Sequence, residues 1–93
     1  MAIQSFNCAD TQRLFTTGKC ARFANVTAVA TRKLQQLDTA TQLRDLGSPP
    51  GNRLESLSGN RQGQQSIRIN NQWRVCFVWT PLGPMNVEIV DYH

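Results

Sequence analysis

The chain has 93 residues, with 10 Lys+Arg against 6 Asp+Glu, a net charge of +4, 40% hydrophobic residues and 17% charged ones. That length allows one domain, residues 1–93, and excludes a (β/α)8 barrel or a dinucleotide-binding sheet, while the composition excludes a disordered chain. No apolar run approaches the roughly 18 residues of a membrane span, and the opening residues lack the basic-then-apolar layout of a secretory signal, so no membrane partner and a cytoplasmic location are expected.

In chain order, residues 2–7 (AIQSFN) predict a short first strand carrying Ile3 and Phe6. Asp10 is placed to cap a short helix through Leu14 and Phe15, which Gly18 stops. From about Val26 to Asp38 the apolar residues Val26, Ala30, Leu34 and Leu37 share one helical face. Arg32, Lys33, Gln35 and Gln36 lie largely off it. Thr39 and Gln42 have capping-box spacing, predicting a second short helix through Leu43 and Leu46 that Gly47-Ser48-Pro49-Pro50 ends.

After Pro50 the period changes from helical to alternating. Residues 53–57 (RLESL), 65–69 (QSIRI), 73–79 (WRVCFVW) and 85–92 (MNVEIVDY) predict four strands. The third is apolar on both faces, as a central strand would be. The order is strand, two or three helices, then four strands. Such segregation predicts an α+β fold in which an N-terminal helical pair packs on one face of a small antiparallel sheet.

The ten cations are eight arginines and two lysines. Arginine binds phosphate through a planar fork, so a nucleic-acid partner is a reasonable expectation. Cys8, Cys20 and Cys76 are widely spaced and the only histidine is His93, which does not make a zinc site. No metal or cofactor is expected.

Two features point to chemistry. If Asn70-Asn71-Gln72 form a three-residue hairpin loop, Ile69 faces Trp73 and Ile67 faces Val75 on the core side. The same register sets Arg68 across from Arg74 on the other side, a like-charge pair that would suit an anion. The second feature is the ending Asp91-Tyr92-His93, which offers a carboxylate, a phenol and an imidazole suited to proton transfer. Trp73 and Trp79 sit at core spacing, and Glu55 and Glu88 read as solvated strand carboxylates or as bases.

Several segments resemble the HigB toxins of the RelE/ParE superfamily. They are Leu54-Glu55-Ser56-Leu57-Ser58-Gly59-Asn60-Arg61-Gln62-Gly63, Gln65-Ser66-Ile67-Arg68-Ile69-Asn70, Gln72-Trp73-Arg74 running on to Trp79, and Val87 to His93. Ser5-Phe6, Arg32-Lys33-Leu34 and Pro49-Pro50-Gly51-Asn52-Arg53 add to the likeness. The resemblance implies a RelE-like fold and a ribosome-dependent endoribonuclease that cuts mRNA in the ribosomal A site. In that reaction the 2′-hydroxyl attacks the adjacent phosphate without a metal. It also implies a HigA-like helix-turn-helix antitoxin, which links the toxin to operator DNA only indirectly.

Carried over by position, Arg74 would stabilise the phosphate, and Asp91, Tyr92 and His93 would position the nucleotide and exchange protons. Arg68 would be a second phosphate contact, and Arg61 and Arg53 would meet RNA phosphates. The chain departs from relatives in three places, one of them Gln64-Gln65, which replaces positions that are often aromatic. Glu55 stands where some carry histidine and is a candidate base, and Ser58 stands where many carry lysine, which implies a weakened toxin. Two alternatives follow from the same superfamily: a non-catalytic antitoxin-binding protein, and a ParE-like gyrase poison.

Overall fold

The computed structural model describes residues 2–91. Two helices, α1 (Ala9–Thr17) and α2 (Thr27–Thr39), precede four strands, β1 (Glu55–Ser56), β2 (Gln65–Arg68), β3 (Trp73–Thr80) and β4 (Gly83–Asp91). The strands form one antiparallel sheet in the order β1-β2-β3-β4, as successive hairpins do. This is the α+β arrangement that the change of period after Pro50 predicts.

The helices form where the apolar spacing places them. On α2, Ala30, Leu34 and Leu37 are buried, and Val26 is buried at the residue before its first turn. On α1, Gly18 takes the left-handed conformation (φ 78°) and its N–H donates to Leu14 O at 2.8 Å, closing the helix. These faces pack with Ile67, Ile69, Val75, Phe77, Val87 and Ile89 of the sheet into one apolar core. Trp73 and Trp79 line its margin, with Phe23 edge-on to Trp73 at 5.3 Å between ring centres.

Some local expectations are corrected. Residues 2–7 are extended but make no full strand: Phe6 forms a single parallel bridge with Val87 beside β4. Asp10 does not cap α1. Cys8 is the cap residue, and Asp10 sits in the first turn, 3.4 Å from Arg22. The capping box is Gln42 with Asp45, not Thr39 with Gln42, because Thr39 still belongs to α2. Asp45 Oδ2 accepts from the Gln42 N–H at 3.0 Å and from Thr41, and these bonds hold its carboxyl below the usual range. The segment it starts is a short 3-10 turn, Leu43–Gly47. A further turn over Ala21–Val26 was not legible in the periodicity. Lys33 and Gln36 lie off the buried stripe of α2 and are half-buried.

Between β3 and β4 the register shifts after Cys76. Asn86 takes a left-handed backbone (φ 55°) in the stretch of β4 that carries one residue more than β3 opposes, while Val87 and Ile89, two apart, both face the core. Ser5 Oγ accepts from the Asn86 N–H at 2.8 Å, so the N-terminal segment braces the bulge.

Candidate active site

The hairpin between β2 and β3 takes the register that the alternation requires. Ile67 pairs with Val75, Arg68 with Arg74, and Ile69 N–H donates to Trp73 O at 2.9 Å. With Ile67 and Val75 in the core, the neighbouring positions turn to the face that carries no helix. Cross-strand partners there form a continuous row, Glu55–Ser66–Cys76–Glu88, running from β1 to β4. The next row holds Arg68, Arg74 and Val90.

The two opposed arginines separate. Arg68 bonds Asn71 at the hairpin tip. Arg74 turns inward and is only 8% exposed. Its Nε donates to Ser66 Oγ at 2.8 Å, and its Nη2 donates to Arg53 O at 2.7 Å and to Ser66 O at 3.4 Å. A buried guanidinium is tolerated when oxygens satisfy its donors. Those oxygens carry no formal charge; the ion pair of the group is with Glu55. The carboxylate of Glu55, 49% exposed, lies 3.6 Å from Nη2. An exposed acid and a fixed cation thus stand side by side.

Arg61 reaches the same face from the loop after β1. Its Nη1 lies 2.9 Å from Glu88 Oε1 and 3.1 Å from Gln64 Oε1, and Asn7 also donates to Glu88. Glu88 is therefore an ion-paired, half-buried group rather than a solvated carboxylate. Within this row the Cys76 thiol is fully buried, and burial pushes it up despite the nearby cations Arg61 and Arg74. It stays a thiol near neutral pH and does not serve as a nucleophile there.

The other predicted residues are distributed as follows. Arg53 offers its backbone carbonyl to Arg74, while the residue itself is exposed. Asp91 lies one pair beyond Arg74, opposite Trp73, and accepts from Gln72 Nε2 at 3.1 Å. Tyr92 and His93 lie outside the described residues. Ser58 is exposed at the start of the Gly59–Arg61 turn. The structure brings Arg74, Glu55 and the Arg53 carbonyl together and sets Arg61 with Glu88 across the row. It adds Ser66 and Cys76, which the sequence pattern alone does not mark as site residues. Alternation outward from Ile67 is the signal that would have placed Ser66.

The exposed Glu55 and the half-buried Arg61, Arg68 and Glu88 make this sheet face accessible around the buried Ser66, Cys76 and Arg74. Such a face suits an extended polymer better than an enclosed small molecule. Among the described residues no three His, Cys, Asp or Glu side chains group to share a cation.

Comparison with known proteins relates the chain to one family and to several individual proteins. The family described as RelE-like toxin of type II toxin–antitoxin system HigB matches residues 4–93. Toxin HigB-1 of Vibrio cholerae is 54% identical over 48 residues, 52% of this chain and 50% of that protein. A Haemophilus influenzae protein with no assigned function is 37% identical over 54 residues, 58% of this chain and 54% of its own length. The chain spans about half the length of the curated relatives it matches. Among solved structures, a YoeB/ParE toxin from Agrobacterium tumefaciens superposes with a TM-score of 0.54 over 100% of this chain and 99% of that one, at 17% identity. That likeness concerns the fold.

Proposed function

We propose, for a chain that belongs to the RelE-like HigB toxins of type II toxin–antitoxin systems, that it is a ribosome-dependent endoribonuclease cutting mRNA in the A site. The observation that carries this reading is the Arg74 guanidinium, buried on uncharged oxygens beside the half-exposed Glu55 on an open face. A preorganised cation of this kind is worth most where charge develops on phosphoryl oxygens.

In the reaction the 2′-hydroxyl oxygen bonds to the adjacent phosphorus as the bond from phosphorus to the 5′ oxygen breaks. Glu55 takes the 2′-hydroxyl proton, and Arg74 stabilises the charge building on the phosphate. His93 gives a proton to the departing 5′ oxygen, with Asp91 and Tyr92 positioning the nucleotide; these roles rest on the resemblance. Arg68, Arg61 and Arg53 contact phosphates of the message or of ribosomal RNA. A HigA-like antitoxin neutralises the toxin and joins it to operator DNA, and the setting is the cytoplasm, where the ribosomes are.

The test adds purified protein to ribosomes translating a defined mRNA and maps the new 5′ ends. Cuts inside A-site codons are expected, absent on naked RNA. Arg74→Ala should reduce their rate by about a hundredfold or more. Intact mRNA in the wild-type reaction would remove the nuclease reading, and gyrase inhibition or antitoxin binding would then decide between the other two.

A further inference from the structure

Arg53 is one of two non-glycine residues among those described with a left-handed backbone (φ 46°, ψ 53°). Residues with a Cβ rarely adopt it, and surroundings that hold one there raise the question of what it serves. Its carbonyl is the 2.7 Å acceptor for Arg74 Nη2. The turn before it, Pro50–Asn52, hangs on the fully buried side chain of Asn52. Asn52 Nδ2 donates to Leu46 O at 3.0 Å, to Ser48 O at 3.2 Å and to Gln36 Oε1 at 3.0 Å. Asn52 Oδ1 accepts from Lys33 Nζ. Lys33 and Gln36 both stand on α2, the helix whose other face is locked into the core.

A chain of contacts therefore runs from α2 through Asn52 to the Arg53 carbonyl and on to Arg74. We propose that Asn52, held from α2 by Lys33, is a positioning residue: it fixes the Arg53 carbonyl and so the plane of the Arg74 guanidinium. The turn could have been anchored by apolar packing alone. A buried amide adds direction, because hydrogen bonds fix the angle at which the following residue leaves the turn. The strained Arg53 backbone is the joint that aims its carbonyl at the sheet. A guanidinium displaced by a fraction of an ångström stabilises the developing charge poorly, although substrate still docks on the surrounding cations. The catalytic consequence rests on the nuclease reading; the held guanidinium does not.

The experiment uses the full chain as wild type, Lys33→Met, Lys33→Arg and Asn52→Ala. Rotation about the Nε–Cζ bond of Arg74 is measured by NMR on arginine-labelled protein, with Arg74→Lys identifying the signal. The same proteins are assayed on programmed ribosomes for kcat and KM. In wild type the rotation should be slow, and in Lys33→Met it should speed up by about tenfold or more. In Lys33→Met, kcat should fall about ten- to a hundredfold while KM stays within about twofold. Lys33→Arg, which keeps a donor to Asn52, should restore both.

A merely structural role would lower thermal stability without freeing the guanidinium or splitting kcat from KM. If Asn52→Ala fails to fold, Lys33→Met decides alone, since it leaves the bonds from Asn52 to Leu46 and Ser48 in place. Unchanged rotation in folded Lys33→Met, or wild-type kcat in that variant, overturns the proposal. Rotation released in Lys33→Met while wild type leaves mRNA intact would refute the nuclease reading and support the positioning geometry.

Discussion

A guanidinium and a thiol lie buried on the same sheet face, and the physics of each residue differs. The buried donors of Arg74 are met by oxygens of Ser66 and Arg53. Burial raises the Cys76 thiol above its ordinary value of 9.0, against the lowering charges of Arg61 and Arg74. The folded protein then keeps a proton that the unfolded chain releases. The contribution of Cys76 to stability is full below its unfolded value and is lost as pH rises through the folded one. Cys8 behaves in the opposite sense. Burial raises it, but bonds from Thr11 and Asp10 and the Arg22 charge outweigh burial and lower the thiol. Its contribution is present above the unfolded value and is lost as pH falls through the folded one. Urea unfolding of Cys76→Ala should therefore show a smaller loss of stability than wild type between about pH 8 and pH 10. In the native protein, a thiol reagent at neutral pH should label Cys8 quickly and leave Cys76 unlabelled, as peptide mass mapping would show.

At the scale of elements, the N-terminal segment and the hairpin between β3 and β4 depend on each other. Gln4 N–H donates to Pro84 O at 2.7 Å, and Gln4 Nε2 donates to Leu82 O at 2.9 Å. Gly83, at φ 132°, lies where a Cβ would collide with the Ala2 carbonyl. Gly83→Ala should push the segment off the edge of β4 at a cost of about 1–3 kcal/mol. Hydrogen exchange should then show the Gln4 and Asn7 amides losing protection while those of α2 keep theirs. This edge was only partly legible. Ile3 and Phe6 are apolar enough to suggest a strand, but the backbone bonds along β4 amount to a single parallel bridge and the Gln4–Pro84 contact. Nothing in six residues says which edge they will lie along. By contrast α2 was legible almost to its ends, because the spacing of Ala30, Leu34 and Leu37 is a local property of a helix. The cap at Gln42 and Asp45 was misplaced because two overlapping pairs have suitable spacing, and the extent of α2 decides between them.

For the molecule as a whole, α2 couples the core to the candidate site. Leu34 is fully buried on one face of the helix, and its neighbour Lys33 holds Asn52 from the side. Leu34→Ala should cost about 2–5 kcal/mol through lost contacts and the cavity left behind. In a chain of this size that corresponds to a fall in Tm of about 10 °C or more, measurable by calorimetry. The sheet face opposite the helices needs no such filling. It is polar because it is open, and its cations and carboxylates reach solvent while Arg74 is tucked between strands. The fold thus separates a packed side that sets stability from an open side available for a charged polymer.

Period and local turn chemistry determined much of this protein from sequence alone. They set the switch from helices to strands after Pro50, the buried stripe of α2, the stop at Gly18 and the three-residue hairpin that opposes Arg68 to Arg74. Those are short-range relations, fixed by 3.6-residue and two-residue repeats and by loop length. Tertiary structure decided the rest. It brought Glu55 and Glu88 into line with the Ser66–Cys76 pair, and turned Arg74 toward Ser66 and the Arg53 carbonyl rather than toward Arg68. It also carried the Asn52 anchor from α2 to that carbonyl. Each of these joins segments separated by loops, where the repeat of one element carries no information about the register of another.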